Sequence, residues 1–141
     1  MELITKTISD SLPPALKAYR PAKLDVKHFI DNLKKYLAHI DSKESEENLK
    51  THLMDFLKPS YAPEHTVEQY GDIDFVIRKE GKGTSAAVLF EVKREANKAD
   101  MIRKDDINRK ALHELILYFM RQRKAGNTDI LHLIICTEFE F

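Results

Sequence analysis

Gly71-Asp72-Ile73-Asp74-Phe75-Val76-Ile77-Arg78, the connection Glu80-Gly81-Lys82-Gly83-Thr84, and then Ala87-Val88-Leu89-Phe90-Glu91-Val92-Lys93 form the stretch that decides how the chain is read. Two runs of β-branched and aromatic residues joined by a glycine-bearing segment predict a β-hairpin. Asp74, Glu91 and Lys93 stand inside those runs, where a strand packed on a core carries apolar side chains. Side chains alternate across a strand, so Glu91 and Lys93 share one face and Val92 points to the other. Pairing of the two runs can bring Asp74 beside them, which places two carboxylates and an ammonium at one point. Carboxylates held that close repel unless a cation lies between them, and hard oxygen ligands with positions left for water suit Mg²⁺. Lys93 can then orient a water or help deprotonate it. The plainer reading of the same residues is a cross-strand charge pair on a solvated hairpin face. Asp74 is preferred to Asp72 as the metal acid because Ile73 and Phe75 flank it within the strand, whereas Asp72 follows Gly71 and reads as a turn residue.

The remaining elements are placed by periodicity and punctuation. Pro13, Pro14 and Pro21 keep a helix from running through residues 1–23, which read as an N-terminal arm ahead of a domain over 24–141. Val26, Phe29, Ile30, Leu33, Leu37 and Ile40 recur at helical spacing and predict an amphipathic helix over 24–40, with His28 and His39 on its surface. Ser42 or Ser45 is a candidate cap for a second helix, whose stripe of Leu49, Leu53, Phe56 and Leu57 is ended by Pro59. Counted back at 100° per residue, Glu46 falls on the buried side of that helix and Glu47 does not. Residues 66–70 predict a first strand, 94–104 a charged loop, and Asp105 or Asp106 the start of a long helix running to about Lys124. Ile107, Ala111, Leu112, Leu115, Ile116, Tyr118 and Phe119 form its broad apolar arc, and Gly126-Asn127 end it. Glu114 and Tyr118 lie at the rim of the arc and are read as structural. Ile130–Cys136 is a nearly continuous apolar run and predicts a buried strand.

Composition narrows the class. The 141 residues are enough for one domain with a real core, and 23 basic against 23 acidic residues give no net charge to draw in nucleic acid. Any nucleic-acid surface is therefore local. Arg94, Lys98, Arg103 and Lys104, which follow the hairpin directly, are the candidates for phosphate contact. The single cysteine, Cys136, reads as a buried thiol. The start of the chain lacks a signal-peptide pattern and no eighteen successive residues are apolar, so no membrane is expected, and a soluble, reducing, cytoplasmic setting is.

The order helix, strand, strand, strand, helix, strand, with Asp74 on the second strand and Glu91-Val92-Lys93 on the third, resembles the PD-(D/E)XK nuclease superfamily. The resemblance implies an α/β fold with an αβββαβ core and a mixed sheet, preceded here by an extra N-terminal helix. It implies that Asp74 and Glu91 hold Mg²⁺, that Lys93 handles the attacking water, and that Glu46 is the further catalytic glutamate donated by the helix before the strands. Ile73 stands where the family's proline is found, a departure many members share.

A closer likeness covers most of the chain. Glu46-Glu47-Asn48-Leu49-Lys50 with Asp55-Phe56-Leu57, Phe90-Glu91-Val92-Lys93-Arg94, Lys110 to Phe119, and the arm Leu12-Pro13-Pro14-Ala15-Leu16 resemble the N-terminal region of type IIG restriction-modification enzymes. There an endonuclease module acts on double-stranded DNA and precedes methyltransferase and target-recognition domains. The ending Glu138-Phe139-Glu140-Phe141, directly after a predicted strand, is expected of a piece of a longer polypeptide. Two rivals remain at this point: a non-catalytic DNA-docking domain on the same fold, and a free-standing repair or junction-resolving nuclease.

Overall fold

The computed structural model describes residues 4–41, 43–79 and 85–138. Among them five helices and a four-stranded mixed sheet make an α/β structure. Two short helices, α1 (Ile8–Ser11) and α2 (Pro14–Ala18), lie in the N-terminal arm, where every described residue is exposed. Then come α3 (Lys23–His39), α4 (Glu46–Tyr61), β1 (His65–Tyr70), β2 (Ile73–Lys79), β3 (Ala86–Val92), α5 (Lys110–Lys124) and β4 (His132–Cys136). The sheet runs in sequence order, antiparallel from β1 to β3 and parallel between β3 and β4. The hairpin between β2 and β3 forms as expected; its connection at 80–84, like the cap candidate Ser42, lies outside the described residues.

The sheet separates two apolar layers. On one side Val67, Phe75, Ile77, Phe90 and Val92 pack against Leu53, Phe56 and Leu57 of α4. Burial of each such side chain contributes about 1.5–3 kcal/mol. On the other side Val76 and Leu89 meet Leu115 of α5, with Tyr118 and Phe119 along the margin. The α4 stripe is therefore as predicted. The helix starts at Ser45, whose hydroxyl accepts the Asn48 N–H at 3.2 Å. It does not stop at Pro59. Proline's φ is helical and only one backbone bond is forfeited, while Ser60 Oγ donates to the Phe56 carbonyl at 2.8 Å and the turn continues to Tyr61.

Three other expectations are corrected. Val26, Phe29, Ile30 and Leu37 of α3 stay largely exposed, and the residue of α3 that is buried is Tyr36. Its ring stacks on Phe56 at 5.2 Å and its hydroxyl donates to the Glu138 carbonyl at 2.7 Å, so a polar tip with a partner fills the place the aliphatic stripe was expected to take. The long helix begins at Lys110. Asp106 is spent on a turn of its own, its carboxylate accepting the Asn108 N–H while Asp106 and Arg103 exchange backbone bonds. The helix's apolar arc is also narrower than read, since Ile107 precedes it and Ile116 is exposed. Finally, β4 is an edge strand, two residues shorter than its apolar run, and only Cys136 of it is buried.

The end of α5 is fixed as its composition suggests, with one addition. Gly126 takes the left-handed conformation, φ 91°, and closes the turn. Buried Asn127 then donates to the Ala86 carbonyl at 3.0 Å and accepts the Asp129 N–H at 3.0 Å, tying the helix end to the start of β3. None of the described helices is long and apolar enough to cross a membrane.

Candidate active site

Phe75 of β2 lies opposite Phe90 of β3, and Asp74, the residue before it, stands at the end of that pairing where Lys50 of α4 reaches it, while Glu91 follows Phe90 on the side that α5 covers. This is where that face changes character. Val76 and Leu89 are fully buried apolar residues, and one pleat beyond Leu89 the acid Glu91 follows. Asp74 Oδ2 accepts the Val92 N–H at 2.7 Å, which pins the aspartate to the end of β3. Lys93, just beyond the strand, is held by its backbone N–H on the Cys136 carbonyl of β4 at 2.9 Å.

Six charged side chains meet at this sheet end. Lys93 Nζ bonds Glu91 Oε1 at 2.5 Å and Glu114 Oε2 of α5 at 2.8 Å. Lys50 Nζ of α4 bonds Asp74 Oδ1 at 2.7 Å and Glu46 Oε1 at 3.0 Å. Four carboxylates thus share two ammonium groups. Glu91 is the most deeply placed acid, 2 % exposed, and its buried Oε2 has no ion-pair or backbone partner among the described atoms, the Glu114 carboxyl being close enough to accept its proton when Glu91 is protonated.

The titration behaviour follows from this crowding. Burial raises the Glu91 carboxyl to about 7; the hydrogen bond from Lys93 opposes the rise and the charge of Asp74 adds to it. For Lys93 burial works against the charge, but its bonds to Glu114 and Glu91 prevail and the net shift is upward. Lys50 behaves alike, burial being outweighed by Asp74 and Glu46. At Glu114 burial pushes up, yet the bond from Lys93 prevails and the net shift is downward. The thiol of Cys136 is buried, as expected, and is pushed up to about 12 by burial and by the nearby acids.

The sequence candidates are distributed as follows. Asp74, Glu91 and Lys93 come together, and Glu46 reaches them through Lys50 rather than directly. Glu47 is exposed, and so is Asp72, which pairs with Arg121 at 3.1 Å on the surface. Lys98 and Arg103 border a shallow hollow with Glu95, Met101, Ile102 and Thr137, Lys104 lies exposed in the same loop, and Arg94 is half-buried beside Lys93. Three participants lie outside those candidates. Glu114 was read as structural, and Tyr118 with it, although burial and the charges of Glu91, Glu114 and Asp74 raise that phenol. Lys50 carried a usable signal: it stands four residues after Glu46, so the inward face assigned to one belongs to both.

The donor set fits a hard divalent cation. Four acids exceed two ammonium groups, and an unpartnered buried carboxylate oxygen is what a cation would satisfy. No group of three His, Cys, Asp or Glu side chains among the described residues is arranged to hold a metal by itself. Asp74 and Glu91 are the carboxylates that would hold such a cation, and Mg²⁺ is an ion that needs only one or two protein carboxylates.

Fold and site together define a mixed α/β domain with a buried acid–lysine cluster at one end of its sheet. The chain belongs to the DUF7149 family, described as a domain of unknown function, whose family model matches residues 6–141. No curated protein and no solved structure matches it.

Proposed function

We propose that this chain is a Mg²⁺-dependent endonuclease module of the PD-(D/E)XK kind, cleaving phosphodiester bonds of double-stranded DNA. The observation that carries the reading is buried Glu91, near Asp74 and bonded to Lys93, with one oxygen left over when it is ionised. A buried carboxylate oxygen without a partner costs about 1–3 kcal/mol, which a bound cation would offset. The succession from α4 to β4 supports the PD-(D/E)XK core as well.

In this reading Asp74 and Glu91 hold the cation, which when bound would neutralise charge developing on the scissile phosphate. Lys93 lies between two carboxylates and stays an ammonium, so it acts as a hydrogen-bond donor that orients the attacking water or a phosphate oxygen. The part in deprotonating water that its sequence position suggested is not kept. Glu114 fixes the direction of Lys93, and Glu46 acts through Lys50. Lys98, Arg103 and Lys104, with Arg94, position the DNA backbone. Methyltransferase and target-recognition domains of a restriction-modification enzyme are the partners this reading assigns.

Incubation of the chain with plasmid DNA, with Mg²⁺ and with a chelator, tests the proposal. Nicking or linearisation is expected with Mg²⁺ alone, and Glu91→Gln and Lys93→Ala should each lower it at least about a hundredfold, the scale of losing one electrostatic contributor to the transition state. Cleavage that persists in both variants would overturn the assignment.

A further inference from the structure

Asp74 has two oxygens, and both are engaged: Oδ2 by the Val92 N–H at 2.7 Å and Oδ1 by Lys50 Nζ at 2.7 Å. The backbone bond belongs to the strand end and persists as long as β2 and β3 are paired. The bond from Lys50 is the replaceable one. Lys50 has a second partner on its own helix, Glu46 Oε1 at 3.0 Å, four residues earlier and on the same face. An ammonium released from Asp74 therefore keeps a carboxylate within reach.

We infer that Lys50 is a built-in counter-cation that occupies Asp74 Oδ1 until a divalent metal displaces it, with Glu46 retaining the displaced ammonium. This rests on the nuclease reading and adds to it a residue that the hairpin motif does not contain. It also gives Glu46 a role as the holder of Lys50. The protein keeps its four acids from repelling one another without metal, and metal affinity is set by competition with one lysine. Lys50 is a positioning residue, since it acts through Asp74.

Calorimetric measurement of Mg²⁺ and Mn²⁺ binding to the chain, to Lys50→Met and to Lys50→Arg tests it without any cleavage assay. Lys50→Met keeps most of the side-chain volume and removes the competing charge, so its metal affinity should rise about tenfold, the scale of one charge-assisted hydrogen bond. Lys50→Arg retains the charge and should not gain. The melting temperature of Lys50→Met without metal should fall, because Asp74 and Glu46 lose their partner, and Mg²⁺ should restore it. Equal metal affinity in the parent and Lys50→Met overturns the counter-cation role and leaves the metal site standing. Absence of metal binding in all three proteins overturns the metal site and this inference together. A Lys50→Met protein that is unfolded and not rescued by Mg²⁺ makes Lys50 a structural bridge and overturns the inference alone.

Discussion

The two faces of the sheet are built by opposite rules. The layer under α4 is apolar over most of its length, with Val67, Phe75, Ile77, Phe90 and Val92 meeting Leu53, Phe56 and Leu57. Its stabilisation is area removed from water, a non-directional quantity that tolerates local imperfection. The face under α5 begins in the same way with Val76, Leu89 and Leu115 and then, one pleat on along β3, turns into Glu91 and Lys93 with Glu114, while Asp74 at the sheet end is paired with Lys50 from α4. There every group needs a named partner. A protein that keeps ionised side chains at a position where apolar ones would be more stable departs from local consistency, and such departures gather at functional sites.

The largest effect expected from this contrast is on the apolar face. Leu53 has no exposed surface, and Leu53→Ala should cost about 2–5 kcal/mol, the range for a buried leucine that leaves a cavity. Urea unfolding followed by circular dichroism reads it. A loss below about 1 kcal/mol would mean that the α4 layer collapses around the gap and is not the rigid half of the molecule.

The same contrast accounts for what was legible beforehand. Leu49, Leu53, Phe56 and Leu57 announce themselves by spacing, because burial of a helix stripe imposes a period on the sequence. The Asp74, Glu91 and Lys93 cluster was legible because charges interrupt two apolar runs, and an interruption is visible where a pattern exists. Lys50 and Glu114 were harder to see, since on helices rich in Lys and Glu one more charged residue interrupts nothing. Tyr36 escaped for the related reason that the aliphatic residues around it offered a more regular stripe, and only the Glu138 carbonyl, far along the chain, makes the tyrosine the better core residue. The start of α5 was misplaced because Asp106 suits an Asx turn and a helix cap equally well; the backbone exchange with Arg103 decides between them.

The charged face should reveal itself next through pH. Glu91 is raised from 4.5 to about 7, so the folded state holds its proton more tightly than the unfolded chain does. The stability this group contributes is complete below about 4.5 and is lost as pH rises through about 7. The parent should therefore weaken between pH 5 and pH 8. Glu91→Gln, which cannot ionise, should be the more stable protein at pH 8, by on the order of 1 kcal/mol, and lose that advantage near pH 5. Thermal melts at the two pH values decide it; a parent that gains stability over this interval, with the variant following it, would show Glu91 to be an ordinary ion-pair partner.

Glu114 shares Lys93 with Glu91 but should titrate in the opposite sense. Its net shift is downward, so its contribution is present above the unfolded value and is lost as pH falls through the folded one. Glu114→Gln should cost about 1 kcal/mol at pH 7, one hydrogen bond to a charged group, and the cost should shrink toward pH 3. Opposite pH trends in the two variants would establish that one lysine serves a buried acid and a half-exposed one. Parallel trends would remove the distinction.

The smallest effect sharpens the comparison most closely, because it concerns two aspartates only two residues apart. Asp74 is held between a backbone N–H and Lys50, whereas Asp72, past the positive-φ Gly71, projects into solvent and meets Arg121 at 3.1 Å with both side chains largely exposed. An exposed pair gains little Coulomb energy in water and has to order two mobile side chains to form. Asp72→Asn should accordingly change stability by less than about 0.5 kcal/mol, and about 1 M salt should erase even that, since screening there acts over about 3 Å. Asp74→Asn takes away the one charge on which Lys50 and any bound cation both depend, and its effect should persist in salt. If Asp72→Asn lowered stability or metal affinity as much as Asp74→Asn does, the turn acid would belong to the site and the division between a solvated and a buried carboxylate would not hold.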